Sequence, residues 1–250
     1  MDMKEKKQPK QSNDLTQHVE EPETKKEKKV KEPKAKKVKE PKEKKVKEKK
    51  HKKVKNRSKW TQKYFNKFAG RHQDSYDDML QKDYDNLLER AHELSSISGN
   101  DYETLILITV PDAFEKNGQV HYRLDKKEDG THTLLYDQAL VTALFFGHDT
   151  LYYHQANVDH RDGHIGFDIA GEFNYFDVVH VETSLKYDNN DKPKYITLDI
   201  EVGLSDGTII PFHLRNHRIH DDYHLDTLLT STEQKVLQTL KTKIRESKKV

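Results

Sequence analysis

Every aromatic residue of this 250-residue chain lies after residue 59, which confines any apolar core to the remainder. Residues 1–59 hold nine apolar residues and carry 24 Lys/Arg against 11 Asp/Glu. Because so little apolar surface cannot offset the entropy lost on ordering, we predict that 1–59 is a disordered tail. Residues 60–250 hold 21 basic against 32 acidic residues, a net charge of −11, and provide enough chain for one core.

The tail contains a low-complexity repeat in which valine recurs every eight residues, separated by KEPKAKK, KEPKEKK and KEKKHKK. Residues 25–59 carry 20 Lys/Arg and five Glu, a net charge of +15. Such blocks stay extended and are often interaction tails, so we expect contact with an anionic membrane surface or nucleic acid. An inert spacer is the alternative. The lysines predicted to bind the polyanion are Lys36, Lys37, Lys44, Lys45, Lys52, Lys53, Lys59, Lys63 and Lys67.

Residues 60–98 are predicted to form a helical extension. The stretch SKWTQKYFNKFAGR, residues 58–71, places aromatic residues on one helical face and lysines on another, with Gly70 as the expected stop. The aromatic face either packs on the folded domain or lies in a membrane interface. A second amphipathic helix begins at Asp74 or Ser75 and ends near Ser95–Gly99, and it needs a sheet or another chain to cover.

Residues 101–250 are predicted to form a β-rich domain that ends in a helix. Apolar and polar residues alternate along Tyr195–Leu204, and Asp206–Gly207 turns the chain into Thr208–Leu214. Pro211 places this second strand at an edge or a bulge, because proline lacks a backbone donor. The other predicted strands are Thr104–Val110, Gln119–Leu124, Thr131–Tyr136, Ala139–Phe146, Thr150–His154, His164–Ile169 and Glu172–Glu182.

Several antiparallel strands followed by one amphipathic helix resemble the bacterial PH-like and GRAM-like families over about residues 139–246. The stretches that carry the resemblance are ALVTALFFGHDTLYYH, GEFNYFDVVHVE, TLDIEVGLSDGTIIPFHL and the terminal helix, where Thr230 and Glu233 fit a capping box. The resemblance implies an α+β fold, mostly antiparallel, in which a PH-like barrel is closed by the C-terminal helix. The helix would bury Val236, Leu237, Leu240 and Ile244 beneath Leu198, Ile200, Val202 and Phe212.

The same resemblance implies a binding module, which in some members recognises lipid head groups. Lipid-binding members usually carry a basic cluster on the loop of the first hairpin. The corresponding stretch, Ala156–Gly163, has one arginine and two aspartates. This departure argues against phosphoinositide capture by the domain itself.

Histidines form two candidate metal groups. In the first, His213 falls in a predicted strand, so a loop or partial helix would have to gather the others with a nearby aspartate. Neither group has the HExxH spacing of a zinc helix, and the alternative is a set of surface histidines in an acidic domain. The first group comprises His213, His217, His220 and His224, with Asp221 or Asp222 as the nearby aspartate, and the second comprises Asp159, His160, Asp162 and His164.

Other chemistry has little support in the sequence. Ser205 lies in a predicted hairpin turn rather than a nucleophile elbow, and neither a GxxxxGK[ST] nor a GxGxxG motif occurs. With no cysteine, disulfides and thiolate-bound metals are excluded. The longest apolar run, Ala139–Phe146, is far shorter than the roughly 20 residues of a membrane-spanning helix, and the N-terminus has no apolar signal core.

These observations predict a non-enzymatic binding or adaptor module that needs no cofactor. We expect it in the cytoplasm, where its tail would contact a membrane surface or nucleic acid and its β-rich domain a protein partner. One alternative is a nucleic-acid-associated protein that uses the tail for sequence-independent binding. Another is a metal-dependent enzyme that uses the histidine groups.

Overall fold

The computed structural model describes residues 56–112, 120–188, 191, 195–218 and 228–249, without the side chains of 217 and 218. These residues form an α+β fold with three mostly antiparallel sheets and a C-terminal helix, which confirms the predicted fold class. No sheet formed by these residues closes into a barrel, so that part of the expectation is wrong.

The helices are α1 (Arg57–Phe65), α2 (Asp74–Ser95) and α3 (Ser231–Ser247). The strands are β1 (Ala69–Arg71), β2 (Thr104–Pro111), β3 (Tyr122–Lys126), β4 (His132–Tyr136), β5 (Gln138–Phe146), β6 (Thr150–Asp159), β7 (His164–Asn174), β8 (Val178–Tyr187), β9 (Tyr195–Leu204) and β10 (Ile209–Arg218).

The four-stranded sheet has the order β2-β5-β6-β7 and is covered on both faces. On one face, Ala139 and Val141 of β5 pack with Leu87 of α2. On the other face, Leu144 and Phe146 enter the main core. Burial on both faces explains why β5 is a nearly continuous apolar run, and it shows that the amphipathic helix α2 covers this sheet.

The three-stranded sheet has the order β10-β9-β8 and packs its apolar residues with α3 and the inner face of the four-stranded sheet. The predicted alternation of β9 and the predicted capping box of α3 are both confirmed. Pro211 lies on β10, an edge strand of this sheet, and β10 carries a bulge between His213 and Arg215. The core contains all eight residues expected to meet beneath the terminal helix, with Ile244 only partly buried.

The third sheet, with the order β1-β3-β4, joins the helical extension to the β-rich part. Tyr64 and Phe65 of α1 are buried against Tyr76, Met79 and Leu135, so the aromatic face packs on the folded domain. This packing removes Tyr64 and Phe65 from a membrane interface, whereas Phe68, just beyond α1, is 48% exposed.

Several element boundaries differ from the sequence predictions: β6, β7 and β10 run on to Asp159, Asn174 and Arg218, and two further differences follow from tertiary contacts. The first helix ends at Phe65 rather than at Gly70, because residues 69–71 pair in parallel with β3. The stretch predicted as one strand from Glu172 to Glu182 is broken by a 3₁₀ turn at Tyr175–Asp177, where Tyr175 is fully buried. Among the helices that the structure describes, none is long and apolar enough to cross a membrane.

Candidate functional site

A cavity of about 590 Å³ lies beside the outer edge of β2. Four elements border it: β2, the β3–β4 hairpin, β10 and the first turns of α3. Its size falls within the range of about 300–1,000 Å³ that is typical of ligand pockets, which are lined mainly by apolar side chains. The apolar lining residues are Leu107, Ile108, Val110, Pro111, Leu124, Leu134, Leu214 and Val236.

The main polar groups of the cavity wall are paired with one another. Arg215 Nε donates to Glu233 Oε1 at 2.7 Å, and Arg215 Nη2 donates to the other carboxylate oxygen. Both side chains are almost completely buried, and Glu233 also accepts from the backbone N–H of Thr230 at 2.6 Å in the capping box of α3. The ion pair therefore joins β10 to α3 and leaves the wall without net charge.

A second polar pair closes the opposite side of the cavity. The Tyr136 hydroxyl donates to Thr109 Oγ1 at 2.9 Å and so ties the hairpin to β2. Burial raises the pKa of Tyr136 to about 12, so the hydroxyl keeps its proton at neutral pH. The mainly apolar lining of the cavity therefore suits a largely apolar group.

A buried ion-pair network fixes α1 to the domain. Arg57 Nη1 donates to Asp83 Oδ1 at 2.7 Å, and His160 Nδ1 lies 2.7 Å from Asp83 Oδ2. Arg57 also donates to the His160 carbonyl at 2.9 and 3.1 Å. The backbone of Gly163 lies so close to the Arg57 side chain that a Cβ atom at residue 163 would be 2.7 Å from Arg57 Nη1. The first residue of α1 is thus locked to α2 and to the turn between β6 and β7.

A second network fixes the other end of α1. Arg123 Nε donates to Asp125 Oδ1 at 2.6 Å, and the Tyr64 hydroxyl donates to Asp125 Oδ2. Arg123 Nη1 donates to the carbonyls of Tyr64 and Lys67, which are otherwise left without a helical partner at the end of α1. The guanidinium also lies 4.2 Å from the centre of the Tyr64 ring. This arrangement holds α1 against β3.

The structure describes only part of the predicted polyanion-binding set. Lys59 and Lys63 are exposed on α1, and Lys67 is exposed just beyond its end. Their exposure leaves all three ammonium groups accessible to an anion. The other members, Lys36, Lys37, Lys44, Lys45, Lys52 and Lys53, lie outside the described residues.

The first histidine group is only partly described. His217 belongs to strand β10 rather than to a helix, while its side chain, His220 and His224 lie outside the described residues. His213, the first member of that group, has its Nδ1 atom 2.7 Å from Asp199 Oδ1. The strand conformation of His217 removes the helical spacing that would have brought this group onto one face.

The second histidine group does not converge. His160 faces Asp83, Asp159 pairs with Arg161, and Asp162 accepts from the backbone N–H of His164. Within the described ranges, no three His, Asp or Glu side chains are placed to hold a metal ion. The Asp159–Arg161 pair also occupies the only arginine of the Ala156–Gly163 stretch.

Comparison with family models, with curated proteins and with solved structures found no match for this chain. The resemblance to the PH-like and GRAM-like families therefore stays a prediction based on sequence pattern.

The cavity could not be located from the sequence. Its wall residues were recognised only as strand and helix residues, because they come from segments more than 100 residues apart that meet through tertiary packing. The nearest sequence signal is the apolar content of the β3–β4 hairpin, which indicates a covered surface but not what it covers.

Proposed function

We propose that the chain is a non-enzymatic binding module that its Lys-rich N-terminal segment holds near a polyanion. The observation that carries the binding role is the cavity beside β2, whose walls are mainly apolar. Arg215 bonds to Glu233 and Tyr136 bonds to Thr109 within the wall, as suits a site that holds a largely apolar ligand.

The strand order supports a PH-like module as part of this proposal. Four strands form one sheet, three further strands form the next, and one C-terminal helix packs on the core between them. We propose an open pair of sheets with this order rather than a closed barrel. The β-rich part would bind a protein partner, and the chain would act in the cytoplasm, in some cases at a membrane surface.

The charge distribution supports the polyanion part of the proposal. Residues 25–59 carry a net charge of +15, while residues 60–250 carry −11. Because an acidic domain repels polyanions, attraction should come from the N-terminal segment and from the exposed lysines of α1. The aromatic residues Tyr64 and Phe65 are buried, so charge would dominate this contact, although Phe68 is 48% exposed beside Lys67.

Vesicle co-sedimentation and gel shifts test the polyanion part across a salt series. The full chain and residues 56–250 would be compared on anionic vesicles, on zwitterionic vesicles, and on duplex DNA and single-stranded RNA of equal length. We expect the full chain to bind anionic vesicles or nucleic acid with an affinity that falls steeply with salt. Equal binding by residues 56–250 would contradict the proposal, and the arm that binds identifies the polyanion.

A further inference from the structure

The outer edge of β2 borders the cavity and has no hydrogen-bonded neighbour among the described strands. Asp112 N donates to Gln138 O at 3.0 Å, which sets the even-numbered residues of β2 as those bonded to β5. The N–H and C=O groups of Leu107 and Thr109 therefore point away from β5. Both residues line the cavity, and among the described strands none pairs with this edge.

The carbonyl of Pro111 supports this alternation independently. As an odd-numbered residue it should also point away from β5, and it accepts a hydrogen bond from Asn216 Nδ2 at 2.9 Å. This contact brings β10 against β2 at one end of the cavity. The edge is therefore closed at Pro111 and open to the cavity at Leu107 and Thr109.

The cavity continues the plane of the four-stranded sheet, with one wall on each face. Thr109 is tied to Tyr136 of the hairpin on the face that α2 covers. Ile108 and Val110 point to the opposite face, where they join Leu214 and Val236 in the main core. An added strand would thus lie between the hairpin on one side and β10 with α3 on the other.

The geometry points to an extended peptide segment as the occupant, added to this sheet as a fifth strand beside β2. This inference rests on the proposed function and adds to it the class of ligand that the cavity binds. At about 3.3 Å per residue, the open edge from Leu107 to Thr109 spans about 7 Å and faces about three residues of the peptide. Backbone pairing supplies affinity in this mode of recognition, and the walls supply specificity.

The walls set the chemistry of the peptide. Apolar side chains lie on both faces of the space, at Leu124 and Leu134 on one side and Leu214 and Val236 on the other. Among the described wall residues, Arg215 and Glu233 pair with each other, so their charges cancel. The central residues of the peptide are therefore apolar or small and uncharged, and a charged residue there would be desolvated without a partner.

Amide hydrogen exchange of the full chain, measured by NMR, tests this inference first without a peptide. Leu107 and Thr109 should exchange at least tenfold faster than Ile108 and Val110, whose N–H groups are bonded to β5. Equal protection of all four amides would overturn the inference, because the edge would already be paired.

The second arm adds capped peptides with terminal lysines and five central residues drawn from Val, Ile, Leu, Phe and Thr. Members of this panel should slow exchange at Leu107 and Thr109 at least tenfold. Methylating the peptide nitrogens that face β2 should abolish the effect, while methylating the intervening nitrogens, as the matched control, should leave it.

The inference is overturned if no peptide in the panel protects these two amides at millimolar concentration. It is also overturned if both methylated series behave alike, or if protection appears on the edge strands β7 or β8 instead. These hydrogen-exchange measurements test peptide binding in the cavity alone. The vesicle and nucleic-acid measurements concern the Lys-rich segment, so the two proposals fail separately.

Discussion

Asp83 lies almost completely buried on α2, between Arg57 and His160. Burial alone would raise the pKa of Asp83, but the hydrogen bonds from His160 and Arg57 outweigh it and hold this pKa below its ordinary value. A carboxylate with a lowered pKa stabilises the fold at every pH above its unfolded value. The network therefore stabilises the attachment of α1 at neutral pH.

Asp83→Asn should lower the free energy of unfolding by about 1.5–3 kcal/mol at pH 7, since it removes a charged partner from a buried network. Chemical denaturation of the full chain measures this. Asp85→Asn is the matched control, because Asp85 is exposed on the same helix and bonds only to Gln81 among the described contacts. If Asp83→Asn lowers the free energy of unfolding no more than Asp85→Asn does, the stabilising role of Asp83 in the buried network is contradicted.

The effect of Asp83 should depend on pH in one direction. Because its folded pKa is depressed, its stabilisation is full above the unfolded pKa of about 4 and is lost as the pH falls through the folded value. The difference in unfolding free energy between the parent chain and Asp83→Asn should therefore narrow below about pH 4. A difference that stays constant between pH 7 and pH 3 would show that Asp83 acts through packing instead.

At the scale of elements, strands with a strict local pattern could be predicted from the sequence. The alternation along Tyr195–Leu204 gave both ends of β9, and Thr230 with Glu233 gave the start of α3. Both signals are local, since each depends on residues only two or three positions apart.

Elements that depend on distant partners could not be predicted. Residues 69–71 form a strand only because β3 lies beside them, and Gly70 is needed there because a Cβ atom would lie 2.0 Å from Arg123 Nη2. The ion pairs that position α1 are likewise non-local, with Arg57 and Asp83 separated by 26 residues. No spacing in the sequence indicates such pairs, nor the cavity that four elements enclose.

Helix α3 should depend strongly on Leu240, which is 2% exposed in the main core. Leu240→Ala should lower the free energy of unfolding by about 2–5 kcal/mol, the usual range for a truncated buried leucine. The matched control is Leu94→Ala on α2, where the leucine is 51% exposed. Urea denaturation with equal losses for the two variants would contradict the packing of α3 on the core.

Helix α1 sets where the chain can be shortened. Residues 56–250 keep Arg57 and the Asn56 side chain, which accepts from Lys59 N at the start of the helix, whereas residues 60–250 lose both. We expect 56–250 to melt within a few degrees of the full chain and 60–250 to melt clearly lower. Differential scanning calorimetry that finds equal melting temperatures for the two would show that the Arg57 network contributes little.

At the scale of the whole molecule, opposite charges are segregated along the chain. Residues 25–59 carry +15, and the acidic remainder is the part in which the core and the cavity form. We therefore propose that the Lys-rich N-terminal segment contacts a polyanion and that the acidic remainder binds the ligand. Substitutions in residues 25–59 should therefore leave the folding of residues 60–250 intact.

Elution from heparin measures whether residues 25–59 contact a polyanion through charge, because heparin carries negative charge but has neither a bilayer nor bases. The measurement compares the full chain with a variant in which Lys36, Lys37, Lys44, Lys45, Lys52 and Lys53 are changed to Gln. These changes reduce the net charge of residues 25–59 from +15 to +9. We expect the variant to elute at clearly lower salt than the full chain and to keep the same melting temperature. Elution of both proteins at the same salt would contradict it.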